Sequence, residues 1–342
     1  MKKLRVGVLC GGKSTEHEVS LWSAKNVMES LDRDRFEPVL IAIDRDGQWF
    51  LPEASKATLP TGLTDVTRRT GGDAEVMLRP ESHGQMVATS GEEQRLDVVF
   101  PVLHGGFGED GTIQGLLRLS GVPFVGAGVL GSAIGMDKDV MKRLLREAGI
   151  PVARFLAIRQ GTAPSYESVV TSLGSPFFLK PANAGSSVGV HKVRSESEYD
   201  EALVDAFLYD TKVLLEEYIV GREIEVSVLG NDQPMASVPG EIIPTKEFYT
   251  YEAKYLDEAG ARLEIPAELP EDMVKRFQSL ACQVFQVLEC AGLARVDFFL
   301  RENGEILVNE INTLPGFTAR SMYPKLWEAS GLSSTDLMTR LI

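Results

Sequence analysis

The sequence predicts two architectures in succession, an α/β unit on a parallel sheet and then a mixed α+β body. Three observations carry this expectation. In the first third, apolar runs at 5–9, 37–43 and 97–103 alternate with helical patterns at 21–31 and 112–119, as strands joined by crossovers do. Beyond residue 150 the strand patterns are mostly antiparallel in flavour, at 152–158, 177–180, 189–193, 213–217, 224–229 and 235–243, with helices at 195–208 and 271–290. Near the C-terminus, 295–300 and 306–312 alternate polar and apolar residues around Asn303-Gly304, a hairpin signal.

Each element has a local reason. Residues 5–9 form a short apolar run that ends in Gly11-Gly12, so they read as a first buried strand. Ser20 precedes the helical pattern 21–31 and is the expected N-cap. A further short strand is expected at 123–125. The stretch 45–95, rich in Gly, Thr, Pro and Glu, reads as a surface insertion with one hairpin and no chemistry. The helix 137–148 ends at Gly149-Ile-Pro151.

Composition narrows the function classes. With 342 residues, 44% of them hydrophobic and 25% charged, the chain is long enough for more than one packed domain. A formal net charge of −14 argues against a nucleic-acid partner, because phosphate neutralisation needs a basic surface. The three cysteines (Cys10, Cys282, Cys290) lack metal-ligand spacing and fit buried thiols in a reducing compartment. No segment is apolar for long enough to span a bilayer, so a cytoplasmic protein is expected.

The hairpin carries the strongest chemical signal. Period-2 geometry puts Glu310 and Asn312 on one face, and strand pairing brings Asp297 beside them. Two carboxylates and an amide oxygen are hard ligands suited to Mg²⁺, and Pro315-Gly316 follows directly. The alternative is the polar face of an ordinary hairpin. Three glycine-rich loops add to this. Gly7-x4-Gly12-Lys13-Ser14 matches the phosphate-binding P-loop pattern literally, yet Gly7 falls inside a strand and Glu16 and Glu18 would repel a nucleotide. Glu16 could instead pair a substrate ammonium. The second loop, 180–189, offers Lys180, small residues and the hydroxyls of Ser186 and Ser187 to a phosphate. The third, 104–111, opens a helix after a strand, where α/β sheets bind ligands. Its His104 is either a satisfied structural histidine or a substrate contact.

Together these segments resemble the D-alanine–D-alanine ligase family of ATP-grasp enzymes. The resemblance rests on the order of residues 11–24, 104–115, 131–145, 180–190, 251–255, 294–299 and 308–324, and covers most of the chain outside 45–95. It implies a Rossmann-like N-terminal domain at 1–132 and a two-lobed ATP-grasp body at 133–222 and 223–342, with a mobile loop at about 244–260. The segment 337–342 would stop within the family's last helix. The implied activity joins two D-alanines with ATP, for peptidoglycan, through an acyl phosphate. The implied ATP contacts are Lys138, Lys180, Ser187, Glu216 (adenine), Glu223 (ribose) and Lys254. Asp297, Glu310 and Asn312 would hold two Mg²⁺, with Mn²⁺ as the alternative ion. The implied catalytic set is Glu16, Ser186, Tyr255, Arg295 and the Gly316 N–H, with His104, Glu109 and Ser321 binding substrate. A homodimer is implied as well, with the helix at 21–31 as a candidate contact.

The rivals are a D-alanine–D-lactate ligase, against which Tyr255 argues, and a P-loop nucleotide-binding protein using Gly12 and Lys13. The last pair separates experimentally. Phosphate release from ATP should survive Lys13→Ala with a mild loss and be crippled by Lys180→Ala; the opposite pattern would select the P-loop protein.

Overall fold

The computed structural model describes residues 2–52, 73–89, 91, 93–244 and 260–342. Its first sheet comprises β1 (Leu4–Gly11), β2 (Phe36–Ile43), β3 (Trp49–Leu51), β4 (Ala74–Leu78), β5 (Gln85–Ala88), β6 (Glu93–Arg95) and β7 (Val98–Val102). The seven strands run in the order β6-β5-β4-β3-β2-β1-β7. As expected, β1 pairs in parallel with β2 and β7. From β2 to β6 the pairing is antiparallel, so the sheet is mixed. The described part of 45–95 is therefore more than an insertion with one hairpin: its four short strands widen the sheet. At 123–125 there is an isolated bridge, Val99 with Phe124, in place of a strand.

The first helix, His17–Ser30, begins before Ser20, which lies inside it instead of capping it. The Ser20 hydroxyl accepts from Gly11 N at 2.8 Å and donates to the Val102 carbonyl, fastening the helix to the ends of β1 and β7. Leu21, Ala24, Val27 and Met28 pack with Val6, Val8 and Phe100 in one core. The apolar face proposed as a subunit contact is therefore inside the chain.

The second sheet is antiparallel, with β8 (Phe155–Arg159), β9 (Phe177–Pro181), β10 (His191–Val193) and β11 (Lys212–Glu217) in the order β10-β9-β11-β8. The helix Lys138–Glu147 leads into it, capped by the Asp137 carboxylate, which accepts from Asp139 N and Val140 N at 3.1 Å each. A helix at Val129–Met136 precedes it and is absent from the sequence expectation. Its small residues have a packing reason: a Cβ at Gly131 would lie 2.4 Å from the Glu289 carbonyl oxygen.

The third sheet contains β12 (Arg222–Gly230), β13 (Met235–Ala236), β14 (Gly240–Pro244), β15 (Ala261–Glu264), β16 (Gly292–Leu300) and β17 (Ile306–Asn312). Its order is β15-β14-β12-β16-β17, with β13 on β12. The single strand expected at 235–243 is split at Val238-Pro239, where proline cannot donate to a ladder. The β16–β17 hairpin forms as expected, turning at Gly304 with φ of +81°. Asp297 faces Glu310 and Arg295 faces Asn312, with a register shift just after Asp297.

The helix Glu271–Val287 lies on this sheet and buries Phe277, Ala281, Val284 and Phe285. Phe277 meets Phe298 edge-on, with ring centroids 5.3 Å apart. Truncating a buried phenylalanine removes transfer energy and leaves a cavity, so Phe277→Ala should cost about 3–5 kcal/mol in urea unfolding. Lys275→Ala, which breaks the exposed pair with Glu271, should cost about 1 kcal/mol or less.

Candidate active site

Loops, strands and helices around all three sheets line one cavity. Glu16, His104 and Glu109 come from the first sheet's connections, and Lys138 and Ser186 from the second sheet's surroundings. Arg295, Glu310, Asn312, Gly316 and Ser321 come from β16, β17 and the chain after them. Of the other expected site residues, Asp297 lies next to this cavity, while Lys180, Ser187, Glu216 and Glu223 do not line it. Lys254 and Tyr255 lie outside the described residues.

The hairpin end is a dense charge cluster. Arg295 forks onto Asp297 with both contacts at 2.7 Å, and its Nε lies 2.8 Å from the Glu225 carboxylate. Asn312 Nδ2 donates to Asp297 at 3.0 Å. Lys138 Nζ sits 3.4 Å from Glu310 and donates to the Ala184 carbonyl at 2.8 Å. Among the described residues no group of three or more His, Cys, Asp or Glu has a metal-ligand arrangement. A hard cation here would be held by Asp297, Glu310 and the Asn312 amide oxygen, which the β16–β17 pairing brings together. That donor set, half-buried and of hard oxygens, fits Mg²⁺.

A second cluster lies beneath it. Glu216 on β11 is buried between Lys142 Nζ at 2.7 Å and Lys180 Nζ at 2.5 Å. Burial opposes its charge, but the two ammonium groups prevail and hold the carboxyl below its ordinary range. Burial lowers the Lys142 ammonium in turn. Glu216 is therefore an acceptor-only group at neutral pH.

At the opposite wall Ser186 donates to Glu16 at 2.5 Å. Ser186 and Ser187 both take left-handed φ, +51° and +60°, a conformation that side chains adopt at a cost and that clusters at functional sites. His104 Nδ1 lies 3.1 Å from the Leu314 carbonyl and Nε2 lies 3.2 Å from Ser23 Oγ. Burial keeps His104 below its ordinary pKa, which suits a neutral ring. Glu109 accepts from Gly105 N at 2.7 Å and Leu314 N at 3.3 Å. Burial, reinforced by the nearby Glu16 carboxylate, pushes Glu109 up to about 8.

The P-loop pattern has a structural explanation. Gly11 N donates to Ser20 Oγ at 2.8 Å and Gly12 N to the Ile43 carbonyl at 2.9 Å, so neither is left to cradle a phosphate. Both glycines have φ above +90°, and a Cβ at Gly11 would meet Ile43 O at 2.2 Å. The glycines serve the turn.

Sequence reasoning missed Glu225, Lys142 and Ser23. The first two carried a signal. Lys142 stands one helical turn after Lys138, and Glu225 stands two residues after Glu223 on a strand. Ser23 carried none, because its partners lie 81 and 294 residues away.

Two family models match the chain, "D-ala D-ala ligase N-terminus" over residues 5–127 and "D-ala D-ala ligase C-terminus" over residues 144–342. A D-alanine–D-alanine ligase of Shouchella clausii is 54% identical over 100% of this chain and 94% of its own length. D-alanine–D-alanine ligase A of Escherichia coli K12 is 50% identical over 100% and 95%. The solved D-alanine–D-alanine ligase of Coxiella burnetii superimposes with a TM-score of 0.89 at 39% identity, covering 100% of this chain and 93% of that one. The VanG D-Ala:D-Ser ligase of Enterococcus faecalis gives 0.87 at 34%, covering 99% and 98%. The chain belongs to the D-alanine–D-alanine ligase family and has its ATP-grasp fold.

Proposed function

We propose that this protein joins two D-alanines to D-alanyl-D-alanine with ATP, for peptidoglycan precursor synthesis. The observation that carries the reading is the cavity itself, where the Glu16–Ser186 pair faces Arg295, Gly316 and the Lys138–Glu310 pair. A carboxylate does not condense with an amine in water, so the first D-alanine carboxylate attacks the γ-phosphorus of ATP. ADP leaves and an acyl phosphate forms. The second amine then attacks the acyl carbon, and the tetrahedral intermediate expels phosphate.

The residues divide this work. Glu16 pairs the first ammonium, beside His104 and Glu109. Lys138, Lys180 and Lys254 neutralise phosphate charge, as phosphoryl transfer requires, and Ser187 donates a hydrogen bond to a phosphate oxygen. Glu216 accepts from the adenine amino group and Glu223 from the ribose. Asp297, Glu310 and Asn312 would hold the Mg²⁺ ions, or Mn²⁺ in their place. When bound, the metal neutralises and orients the phosphates. Arg295 and the Gly316 N–H stabilise the oxyanion of the tetrahedral intermediate, and Ser321 receives the second carboxylate. Ser186, which donates to Glu16, acts with Tyr255 to keep water from the site and assist loss of the amine proton.

Three units, 1–132, 133–222 and 223–342, carry these groups, and the three sheets support that division. Among the described residues no helix is long and apolar enough to cross a membrane. We place the enzyme in the cytoplasm, where ATP is available, as a homodimer without a nucleic-acid or membrane partner.

Phosphate release from Mg·ATP, with and without D-alanine, tests the reading together with the product mass. Release should require D-alanine and yield the D,D-dipeptide, and Arg295→Met should lower kcat by about 10²-fold or more. Release indifferent to D-alanine would overturn it, and a D-alanine product formed only with D-lactate or D-serine would correct the second substrate.

A further inference from the structure

The chain from Leu314 to Phe317 crosses the cavity wall, and its backbone is held from another sheet. Leu314 N donates to Glu109 at 3.3 Å, and the Leu314 carbonyl faces His104 Nδ1 at 3.1 Å. Phe317 N donates to Ser23 Oγ at 3.1 Å, and Asn26 Nδ2 donates to the Phe317 carbonyl at 2.9 Å. All four holding side chains belong to the first helix and the loop after β7. The side chains agree with the backbone: Leu314 and Phe317 are buried in the first sheet's core, with Phe317 edge-on to Phe100 at 5.7 Å.

Between these fastened ends, Pro315 has no N–H, and Gly316 makes no hydrogen bond through its N–H among the described residues. Gly316 lines the cavity, and a Cβ there would lie 2.7 Å from Ser321 Oγ. An N–H without a partner is costly away from water unless a ligand supplies one.

Ser23 is the joint of this arrangement. Its side chain is fully buried, and its one hydroxyl meets both His104 Nε2 at 3.2 Å and Phe317 N at 3.1 Å. The Leu314 carbonyl can only accept, so His104 Nδ1 carries the proton and Nε2 accepts from Ser23. The Ser23 oxygen remains free to accept from Phe317 N. Every donor then meets an acceptor, with a neutral histidine.

We propose that Ser23 is a positioning residue for the second chemical step: through His104 and Phe317 it sets where the Gly316 N–H stands relative to the reacting carbonyl. This rests on the ligase reading above. It assigns no direct contact with substrate to Ser23 and predicts which half-reaction depends on it. Formation of the acyl phosphate creates no tetrahedral carbon and does not need the Gly316 N–H. Attack of the amine on the acyl carbon does.

The test is single-turnover quench-flow with Mg·ATP and D-alanine, following ADP and dipeptide separately. In Ser23→Ala, ADP should appear in the first turnover within about twofold of wild type, while dipeptide formation slows by about a hundredfold, the cost of misplacing a catalytic group by about 1 Å. Acyl phosphate left waiting is attacked by water, returning D-alanine and phosphate, so phosphate released per dipeptide should rise above one. Asn26→Ala, on the half-buried side of the same loop, should shift the ratio in the same direction and guards against a Ser23 variant that fails to fold. Equal slowing of ADP and dipeptide in folded variants, or no slowing of either, would overturn the proposal. Wild-type protein that forms no dipeptide would instead overturn the ligase reading, which keeps the two failures apart.

Discussion

Two carboxylates held face to face are the constraint around which the cavity is organised. The β16–β17 register places Asp297 opposite Glu310, and Glu225 stands beside them on β12. Unit charges ~5 Å apart repel by about 3 kcal/mol at an effective dielectric near 20. Such a cluster persists in a half-buried site only with cations close by. Arg295 answers Asp297 and Glu225, and Lys138 answers Glu310. That arrangement suits a divalent cation bound with a polyphosphate, which brings charge of both signs to the same place. On the proposed reading, binding of the nucleotide exchanges one neutralising set for another.

The second organising feature is convergence. The second sheet has a core of its own, whereas the first sheet's core also takes in Leu229, Leu293, Leu314 and Phe317 from the third sheet and the chain after it. The groups proposed to act together likewise come from different sheets. Ser186 reaches Glu16 across 170 residues of sequence, and His104 reaches Leu314 across 210. Contacts of this kind make the relative placement of the sheets part of the chemistry, since near-attack geometry is sensitive to shifts of about 1 Å. The cavity wall at Leu314–Phe317 expresses this directly, because side chains of the first helix and of the loop after β7 hold the backbone of the chain after β17.

How much was legible in the sequence follows from the range of the interactions. The β16–β17 hairpin, its turn and the shared face of Glu310 and Asn312 were readable, because period-2 alternation and Asn-Gly turns are local. The helix after Asp137 was readable for the same reason, with an acidic cap at its start. Short strands such as Glu93–Arg95 were not, since three polar residues carry no periodicity and form a strand only because a partner edge exists. Ser20 shows the ambiguity of a hydroxyl near a helix start: it could cap or it could pin, and only the neighbouring strand ends decide. His104 was left open between structural and substrate roles. Its ring nitrogens face Ser23 and Leu314, which sequence spacing cannot bring together. The P-loop match failed for the complementary reason, since a pattern records residue types and not where their N–H groups point.

The most direct measurement of the central claim is the affinity of ATP as a function of Mg²⁺ concentration, by calorimetry, for wild type and Glu310→Gln. If the facing carboxylates hold the metal that holds the phosphates, wild-type affinity rises with Mg²⁺ and the variant loses most of that dependence. An unchanged Mg²⁺ dependence in the variant would contradict the account and move the metal, and with it the phosphates, away from the β16–β17 hairpin.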